Sequence, residues 1–206
     1  MTKKLRGVYL ITDTRIQQRF SHKELTRQAV QAGVRMVQFR DKDAPAAEAL
    51  NHVRGMAEET AGSDTILIVN DRPDLVLAGG ADGVHLGRDD LPIPVARRLL
   101  GGMIIGGTSS AVEEAVQVER EGADYVALGH IFETRTKHKP YVPRGLDILK
   151  QVRQAVSVPV VAIGGITLLN APQVIEAGAD MIAVSSAICK ADDPEKAARL
   201  LVDLFR

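Results

Sequence analysis

The chain has a single cysteine and no net charge, and each shortage excludes a class of protein. Its single cysteine, Cys189, rules out an internal disulfide and favours a packing role over a catalytic thiol. Lysine plus arginine and aspartate plus glutamate both number 26, so no overall field attracts nucleic acid or an anionic membrane. No apolar run approaches the roughly 18 residues of a membrane span, and the start lacks the apolar stretch of a signal peptide. We therefore expect a cytoplasmic protein with small-molecule ligands, whose anionic groups would be held by local charge.

Strand-like and helix-like segments alternate along the chain, and a small polar or glycine cluster stands where seven of the strand-like segments end. Such an alternation predicts a parallel sheet whose strands all end on one face. That face is where barrel enzymes carry their chemistry. The clusters are Gln38 to Lys42, Asn70-Asp71, Arg88 to Asp90, Thr108 to Ser110, His130 to Lys137, Gly164-Gly165 and Ser185-Ser186.

Eight strand-helix units predict a single (β/α)8 TIM barrel domain over residues 1–206. An open doubly wound sheet is the alternative, but no G-x-G-x-x-G follows the first strand. The predicted strands are Gly7 to Thr12, Met36 to Arg40, Thr65 to Asn70, Gly83 to Leu86, Met103 to Thr108, Tyr125 to Gly129, Val160 to Gly164 and Met181 to Ser185. The clearest predicted helices are Ser21 to Ala32, Ala44 to Ala61, Ala111 to Glu121, Leu146 to Ala155 and Pro194 to Phe205. Ser21 and Glu24 form a capping-box pattern at the start of the first of these helices.

Two turns of small residues follow the last two predicted strands. Gly164 and Gly165 come after the seventh strand, and Ser185 and Ser186 come after the eighth. Glycine lets a backbone approach an anion closely, and free N–H groups at a helix start favour negative charge. Barrels often hold a substrate phosphate at this point. We therefore expect a phosphate site here; the alternative is that the glycines only form tight turns.

Two acidic residues stand at the ends of neighbouring strands. Asp71 closes the third predicted strand and Asp90 lies just past the fourth. With the cationic Arg40 and Lys42 nearby, this pair suits a magnesium diphosphate, because Mg²⁺ takes most of its ligands from phosphate and water. Zinc is disfavoured, since the five histidines lack metal-ligand spacing. Alternatively Asp71 caps a helix and Asp90 is a solvated loop charge. His85 is interpreted as a hydrogen-bonded interior histidine.

The loop after the sixth strand, residues 129–145, is longer than an ordinary connection in a barrel, which favours a functional lid. Hydroxyls at Thr134 and Thr136, together with Lys137, would suit closure over a diphosphate. His130 stands at the strand end itself, and its ordinary pKa suits proton transfer near neutrality. The alternative is a solvated basic flap with His130 as a packed residue.

These motifs together resemble the thiamin-phosphate synthase family, which includes a thiazole tautomerase branch. The resemblance runs essentially end to end and follows the family order. It is carried by Gln38-Phe39-Arg40-Asp41-Lys42, Val69-Asn70-Asp71, Ala81 to Gly87 with Asp90, Gly122 to Tyr125, Thr134-Arg135-Thr136-Lys137 and Ala162 to Thr167.

The resemblance implies a role for most of the clustered side chains. In the synthase pattern the pyrimidine diphosphate is surrounded by Gln38, Arg40, Lys42 and Asn70, and Mg²⁺ is bound by Asp71 and Asp90. It also places Thr134, Thr136 and Lys137 on the diphosphate or the substrates, Thr108 among the substrate-binding residues, and the turns at Gly164, Gly165, Ser185 and Ser186 on the thiazole phosphate. The implied catalytic residues are Arg40, Lys137 and His130.

Some positions depart from the synthase pattern. Synthases usually carry proline at His130 and often at Glu133, glutamine at Arg88 and serine at Thr108. The histidine resembles the tautomerase branch, in which this position is the proposed acid-base residue. A tautomerase, however, needs neither magnesium nor a diphosphate clamp, and this chain keeps the acidic pair and the cationic set. The synthase interpretation is therefore favoured.

The implied reaction couples hydroxymethylpyrimidine diphosphate to a thiazole phosphate and releases diphosphate. The alternative is aromatisation of a carboxylated thiazole phosphate, with His130 moving the proton. A third interpretation is a non-catalytic regulatory barrel that binds a thiamin intermediate. The sequence leaves the preferred thiazole carboxylation state and the oligomeric state open, and a homo-oligomer is compatible with it.

Overall fold

The computed structural model describes residues 5–134 and 142–206, and its eight parallel strands close into one barrel. The strands follow sequence order around the barrel, and the last pairs with the first. The predicted TIM barrel is thus confirmed. The strands are β1 (Gly7–Thr12), β2 (Met36–Phe39), β3 (Ile66–Asn70), β4 (Gly83–Leu86), β5 (Ile104–Ser109), β6 (Tyr125–Gly129), β7 (Val160–Ile163) and β8 (Met181–Val184).

Helices cover the outside of the barrel. They are α1 (His22–Ala32), α2 (Ala46–Thr60), α3 (Pro73–Gly79), α4 (Ile93–Leu100), α5 (Val112–Arg120), α6 (Gly145–Ala155), α7 (Ala171–Glu176), α8 (Ser186–Cys189) and α9 (Pro194–Val202), followed by a 3-10 turn (Asp203–Phe205). The capping box at Ser21 is present, with the Glu24 carboxylate accepting the N–H of Ser21 at 2.8 Å. No helix within the described residues has the length and apolarity that a bilayer crossing requires.

Several element ends differ from the predicted ends by one or two residues. For example, β2 ends at Phe39 instead of Arg40, and β8 ends at Val184 instead of Ser185. β3 begins at Ile66 instead of Thr65, and the Thr65 hydroxyl donates to the carbonyl oxygen of Val34 just before the strand. Hydropathy reports which residues are buried, whereas the ends of a strand depend on where ladder hydrogen bonds stop.

The strands separate two apolar cores, because successive side chains point to opposite faces. One core lies between the strands and the helices, and it includes Leu10, Val37, Leu67 and Val126. The other fills the inside of the barrel with residues from alternate positions. The inner core consists of Tyr9, Ile11, Met36, Ile66, Ile68, Tyr125, Ala127, Val161, Met181 and Ala183.

An aspartate precedes three of the even-numbered strands and ties each to the strand before it. Asp180 donates its N–H to the carbonyl oxygen of Val160 at 2.9 Å, and its carboxylate accepts the N–H of Val160 at 2.9 Å. Asp124 makes the same two bonds with Ile105, and Asp82 makes them with Leu67. We call these three residues the aspartate clamps. They satisfy backbone groups at the end of the barrel opposite the polar clusters.

Arginines from the preceding helices complete two of the aspartate clamps. Arg153 on α6 lies 2.6 Å from the Asp180 carboxylate and also donates to the carbonyl oxygens of Val156 and Val158. Arg97 on α4 has the corresponding contact with Asp124 at 2.7 Å. The guanidinium groups therefore satisfy carbonyls that a helix end leaves without intrahelical partners.

A buried histidine supports the loop between β2 and α2. His22 is 1% exposed, and its Nδ1 lies 2.7 Å from the Thr12 hydroxyl. Because that hydroxyl donates to the carbonyl oxygen of Gln38 at 2.9 Å, Nδ1 is the donor to Thr12. His22 Nε2 is buried without a hydrogen-bond partner among the described residues and faces Asp41 at 3.8 Å. Burial and the nearby His52 lower the pKa of His22 to about 4.

Removing one aspartate clamp should destabilise the barrel. Asp180→Ala leaves the buried N–H of Val160 without its side-chain acceptor, so the free energy of unfolding should fall by about 2 kcal/mol. Asp180→Asn keeps an oxygen acceptor and should cost less than half as much, since the partly exposed pair with Arg153 contributes little. Urea unfolding measures both. Asp64→Ala, at an exposed carboxylate, is the control; an equal loss there would contradict the role of the clamp.

The buried neutral state of His22 should make the protein less stable in mild acid. The folded state holds the pKa near 4, below the ordinary value of about 6.5 in the unfolded chain. The unfolded chain thus binds the proton first, so stability is complete above pH 6.5 and falls as the pH decreases toward 4. The contribution lost at pH 5.5 is about 1.4 kcal/mol.

The measurement compares the free energy of unfolding of wild type and His22→Gln at pH 7.5 and pH 5.5. The variant should lose less stability between these two pH values than the wild type, by about the same 1.4 kcal/mol. Equal losses in the two proteins would show that His22 does not titrate in this way.

Candidate active site

Two carboxylates meet at the ends of β3 and β4. Asp71 extends the ladder by donating its N–H to the carbonyl oxygen of His85 at 2.9 Å. Its φ of 62° lies in the left-handed region, which few residues other than glycine adopt. The Asp90 carboxylate is fixed by the residue that follows β4, because its Oδ2 accepts the N–H of Gly87 at 2.7 Å. The sequence prediction that the two carboxylates come together is thus consistent with the geometry.

The two carboxylates are close enough to affect each other's charge. Burial and the adjacent Asp71 carboxyl raise the pKa of Asp90. Two like charges held together in this way favour binding of a cation or a proton. The alternative that Asp71 caps a helix is not supported, since the N-cap of α3 is Arg72 and makes no side-chain cap bond. Backbone strain beside paired carboxylates is typical of a functional site.

A cation and a pocket adjoin the acidic pair. Lys42 Nζ lies 3.0 Å from Asp71 Oδ2, and the lysine side chain is half exposed. A pocket of about 250 Å³ opens beside them, between the ends of β2 and β3. It is lined by Phe39, Asp41, Lys42, Ala44, Ala49, Asn70, Asp71, Arg72 and Leu75. Lys42 and Asn70, which were expected around the diphosphate, therefore share one concave surface with Asp71, which was expected to bind Mg²⁺.

Arg40 has a different partner from the one suggested by the sequence. Its guanidinium pairs with the Asp13 carboxylate just after β1, and both side chains are largely buried. Arg15 also contacts Asp13, at 3.4 Å. The charge of Arg40 is thus already balanced by a fixed carboxylate, whereas Lys42 faces the acidic pair. Sequence reasoning missed Asp13, because a lone aspartate in a loop gives no pattern.

The first part of the loop after β6 lies alongside β7. Ile131 donates its N–H to the carbonyl oxygen of Ile163 at 2.9 Å, and Phe132 donates to that of Gly164 at 3.0 Å. A Cβ atom on Gly164 would come within 2.6 Å of the Cβ of His130. His130 therefore packs directly on the turn that was expected to hold a phosphate. Thr134 is partly buried in the same segment.

The glycines after β7 have a packing role that the sequence did not reveal. Gly164 and Gly165 adopt positive φ angles of 104° and 67°. A Cβ on Gly165 would lie 2.3 Å from the carbonyl oxygen of Glu133. The loop after β6 can therefore lie this close to the turn after β7 only if position 165 is glycine, whether or not an anion binds there as well. Thr136 and Lys137 lie outside the described residues, so their assigned roles stay predictions.

The turn after β8 is anchored to β1. The Ser185 hydroxyl donates to the carbonyl oxygen of Ile11 at 2.6 Å, and Ser186 begins α8. The Cys189 thiol lies 3.7 Å from the same oxygen, and burial raises its pKa to about 12. A thiol held in this state is not a nucleophile at neutral pH. The packing role expected for Cys189 agrees with its position.

Several polar residues inside the barrel were missed or only partly foreseen. Gln38 is 1% exposed and donates from Nε2 to the Tyr9 hydroxyl. His85 contacts Tyr125 and Thr108, as expected for a hydrogen-bonded interior histidine. Tyr9 and Tyr125 gave no functional signal in the sequence. A phenol at an inward position of a barrel strand needs a polar partner, and that requirement is the signal that would have identified them.

Two further observations concern the end of the barrel where the strands terminate and the acidic pair lies. Arg88, which replaces the usual glutamine of the family, is paired with Glu114 and the Ser110 hydroxyl. Its charge is therefore directed away from the acidic pair. Among the described residues, no group of three or more His, Cys, Asp or Glu side chains is arranged to hold a metal. A cation here would have two protein carboxylates, which suits Mg²⁺ with phosphate and water as its other ligands.

Comparisons with known proteins agree with this geometry. Residues 8–188 match the thiamine monophosphate synthase family. The thiamine-phosphate synthase of Chloroflexus aurantiacus is 44% identical over 194 residues, which cover 94% of this chain and 90% of that protein. The thiamine-phosphate synthase of Anaeromyxobacter dehalogenans is 49% identical over 180 residues, which cover 87% and 81%.

A solved structure supports the same relationship. The thiamine phosphate pyrophosphorylase from Pyrococcus furiosus has a TM-score of 0.90 and is 36% identical, with 100% of this chain and 98% of that chain covered. A 3-hexulose-6-phosphate synthase with a TM-score of 0.73 is 20% identical and shares the fold. The family match spans most of the barrel strands and includes the acidic pair and the glycine turn. The chain therefore belongs to the thiamine monophosphate synthase family.

Proposed function

We propose that this protein couples hydroxymethylpyrimidine diphosphate to a thiazole phosphate, forming thiamine phosphate and releasing diphosphate. The observation that carries the proposal is the acidic pair. Asp71 follows β3, Asp90 lies just past β4, and Lys42 lies beside Asp71. This arrangement suits a diphosphate leaving group. The curated relatives carry the synthase name, which favours this reaction over the tautomerase alternative.

The acidic pair fits a magnesium ion. The raised pKa of Asp90 indicates that its negative charge is poorly compensated in the protein alone. Asp71 and Asp90 would hold Mg²⁺, which when bound neutralises charge on the diphosphate. Lys42 supplies further positive charge from the protein. Thr134, Thr136 and Lys137 are proposed to contact the diphosphate from the loop after β6.

The protein's main task is to position the reactants and stabilise the leaving group. The bond from the pyrimidine methylene carbon to oxygen breaks, and both electrons leave with diphosphate. The thiazole nitrogen then donates its lone pair to the methylene carbon. Fixed cationic groups stabilise the developing negative charge, because they need no reorganisation as the bond breaks. Lys42 is proposed to act in this way, whereas Arg40, whose charge Asp13 already balances, is proposed to help bind the pyrimidine diphosphate.

The opposite side of the barrel mouth is proposed to bind the thiazole phosphate. Gly164, Gly165, Ser185 and Ser186 end β7 and β8, where barrels commonly bind phosphate. Gln38 and Asn70 at β2 and β3 are assigned to the pyrimidine side, together with Thr108 at β5. The two substrates would then enter from different strand ends and meet above the inner core.

His130 gives the tautomerase alternative its one structural argument. The residue packs on Gly164, so it borders the proposed thiazole phosphate site. In that position an imidazole is well placed to exchange a proton with a thiazole ring. In the coupling reaction the same side chain makes contacts only. The two functions can thus be separated by experiment.

Removing either carboxylate should abolish most coupling activity. Asp71→Asn and Asp90→Asn should each lower kcat/KM by roughly 10² to 10³, a loss typical of removing a charge-stabilising group. Asparagine tolerates the left-handed backbone at position 71, and either change relieves repulsion, so the stability without metal should not fall. The measurements are diphosphate release at saturating Mg²⁺ and thermal unfolding.

The control for this pair is Asp89→Asn, because Asp89 is exposed and stands next to Asp90. It should retain near wild-type activity. Wild-type rates in both Asp71→Asn and Asp90→Asn would remove the metal-site assignment. A large loss of thermal stability would indicate a structural role instead.

His130→Ala should separate the two candidate reactions. It should spare a measurable share of coupling activity, because the imidazole moves no proton in that reaction. Any thiazole isomerisation should fall by roughly 10² to 10⁴, the usual contribution of a general acid or base. Both assays are run on one preparation, with and without Mg²⁺. Fast isomerisation that needs no Mg²⁺, with no coupling in the wild type, would show that the proposed function is wrong.

A further inference from the structure

The loop after β1 contacts two different parts of the barrel end where the strands terminate. It comprises residues 13–20, and we call it the β1 strap. Near its start, the Thr14 hydroxyl donates to Asp41 Oδ2 at 3.0 Å, in the loop after β2. Near its end, Arg19 reaches the residues that follow α8. None of the proposed catalytic steps uses Arg19.

Arg19 holds the C-terminal end of α8. Its Nη2 donates to the carbonyl oxygen of Ala191 at 2.6 Å and to that of Lys190 at 3.2 Å. Carbonyl groups at a helix end lack intrahelical donors, so a cationic side chain that supplies one stabilises that end. Nη1 lies 3.5 Å from the Asp192 carboxylate, but that carboxylate is fully exposed, so the ion pair adds little. The two carbonyl contacts therefore carry the attachment.

The other end of α8 is held by β1 itself. The ladder between the two strands ends where Leu10 pairs with Val184. The Ser185 hydroxyl continues the contact, because it donates to the carbonyl oxygen of Ile11 at 2.6 Å. A helix of four residues gains little stability from its own hydrogen bonds. The position of α8 therefore depends on its attachments, and one continuous segment, residues 11–19, supplies both of these.

The β1 strap is fixed around Arg19. Gln17 is 9% exposed, and its Nε2 donates to the carbonyl oxygen of Phe20 at 2.8 Å. Its Oε1 accepts the N–H of Phe20 at 3.0 Å. The guanidinium carbon of Arg19 lies 5.3 Å from the centroid of the Phe20 ring, within the range of a cation–π contact. The guanidinium thus projects from a backbone that is held on both sides.

The attachment of α8 bears on the proposed thiazole phosphate site. Ser185 and Ser186, which belong to that site, form the start of α8 and move with it. A displacement of about 1 Å can greatly weaken the action of a positioned group. The acidic pair and Lys42 follow β2, β3 and β4, which do not adjoin β8 in the closed barrel. A shift of α8 should therefore affect the thiazole phosphate and spare the pyrimidine diphosphate.

We propose that Arg19 is a positioning residue for the thiazole phosphate. By holding α8 from its C-terminal end, it keeps the turn of Ser185 and Ser186 in the place where the phosphate binds. Arg19 acts on the substrate through α8 and makes no contact with it. The identity of the anion rests on the proposed function, whereas the attachment of α8 by Arg19 does not.

The attachment is tested without substrate, by hydrogen–deuterium exchange of the wild type and Arg19→Ala followed by mass spectrometry. The amides of residues 185–191 should exchange about fivefold faster in the variant, because local opening of α8 becomes easier. Peptides that contain β3 and β4 should exchange at the wild-type rate. Unchanged exchange over residues 185–191 would overturn the proposal, whatever the enzyme activity.

The effect on recognition is tested by coupling kinetics at saturating Mg²⁺. Arg19→Ala should raise the KM for the thiazole phosphate about fivefold. This is less than the tenfold effect of one lost hydrogen bond, because Arg19 is half exposed and acts indirectly. The value of kcat and the KM for the pyrimidine diphosphate should stay within about twofold. Arg19→Lys should recover part of the loss, since an ammonium group can still donate to one carbonyl.

The matched control is Arg199→Ala. Arg199 has the same exposed fraction as Arg19, 48%, and donates to the carbonyl oxygen of Gln31 at 3.2 Å, near the C-terminal end of α1. That end leads into the start of β2, at the opposite end of the barrel. The control should leave both KM values and the exchange of residues 185–191 unchanged.

Three outcomes of the kinetics would overturn the proposal. They are an unchanged KM for the thiazole phosphate in Arg19→Ala, an equal rise of both KM values in that variant, and the same rise in the control. The last two would show a merely structural effect. Absence of coupling in the wild type would instead refute the proposed function, and the exchange measurement would still decide whether Arg19 holds α8.

Discussion

Closure of the parallel ladder is the constraint on which the rest of the structure depends. Pairing of β8 with β1 leaves the eight-stranded sheet without a free edge and directs the end of every strand to one rim. The polar clusters meet there because they follow the strands in the sequence. Closure also fixes the space inside, so each inward side chain must fit its neighbours. Gly106 is one result, since Tyr125 occupies the volume that its side chain would need.

The sequence predicts those features that local patterns encode. The strand-helix alternation gave the barrel, and the strand ends gave the acidic pair and the glycine turn. Contacts between distant positions were not predictable. Tyr9 and Tyr125 are 116 residues apart, and their contact depends on the register of strands around the barrel. The pairing of Arg40 with Asp13 was missed for the same reason, because it joins the ends of β1 and β2.

The carboxylates at the two ends of the barrel differ in how their charge is compensated. At the beginning of the strands, Asp124 and Asp180 each accept a backbone N–H and contact an arginine, so their charges are satisfied. At the other end, Asp71 and Asp90 lie against each other, and the pKa of Asp90 is raised. Stabilising contacts thus lie at one end of the barrel and the candidate active site lies at the other, an arrangement typical of this fold.

The aspartate clamps join neighbouring strands of the barrel in pairs. The clamps join β3 to β4, β5 to β6 and β7 to β8, and the N–H of Arg35 makes the corresponding backbone bond between β2 and β1. This backbone joint thus recurs in four strand pairs, which we call the quarters of the barrel, and the parallel ladder joins each quarter to the next. The acidic pair belongs to a single quarter, whereas the contact of His130 with Gly164 crosses from the third quarter to the fourth. A second contact crosses a boundary as well, because Lys42 follows β2 in the first quarter and pairs with Asp71 in the second. The contacts at the barrel mouth therefore need neighbouring quarters to be assembled in register.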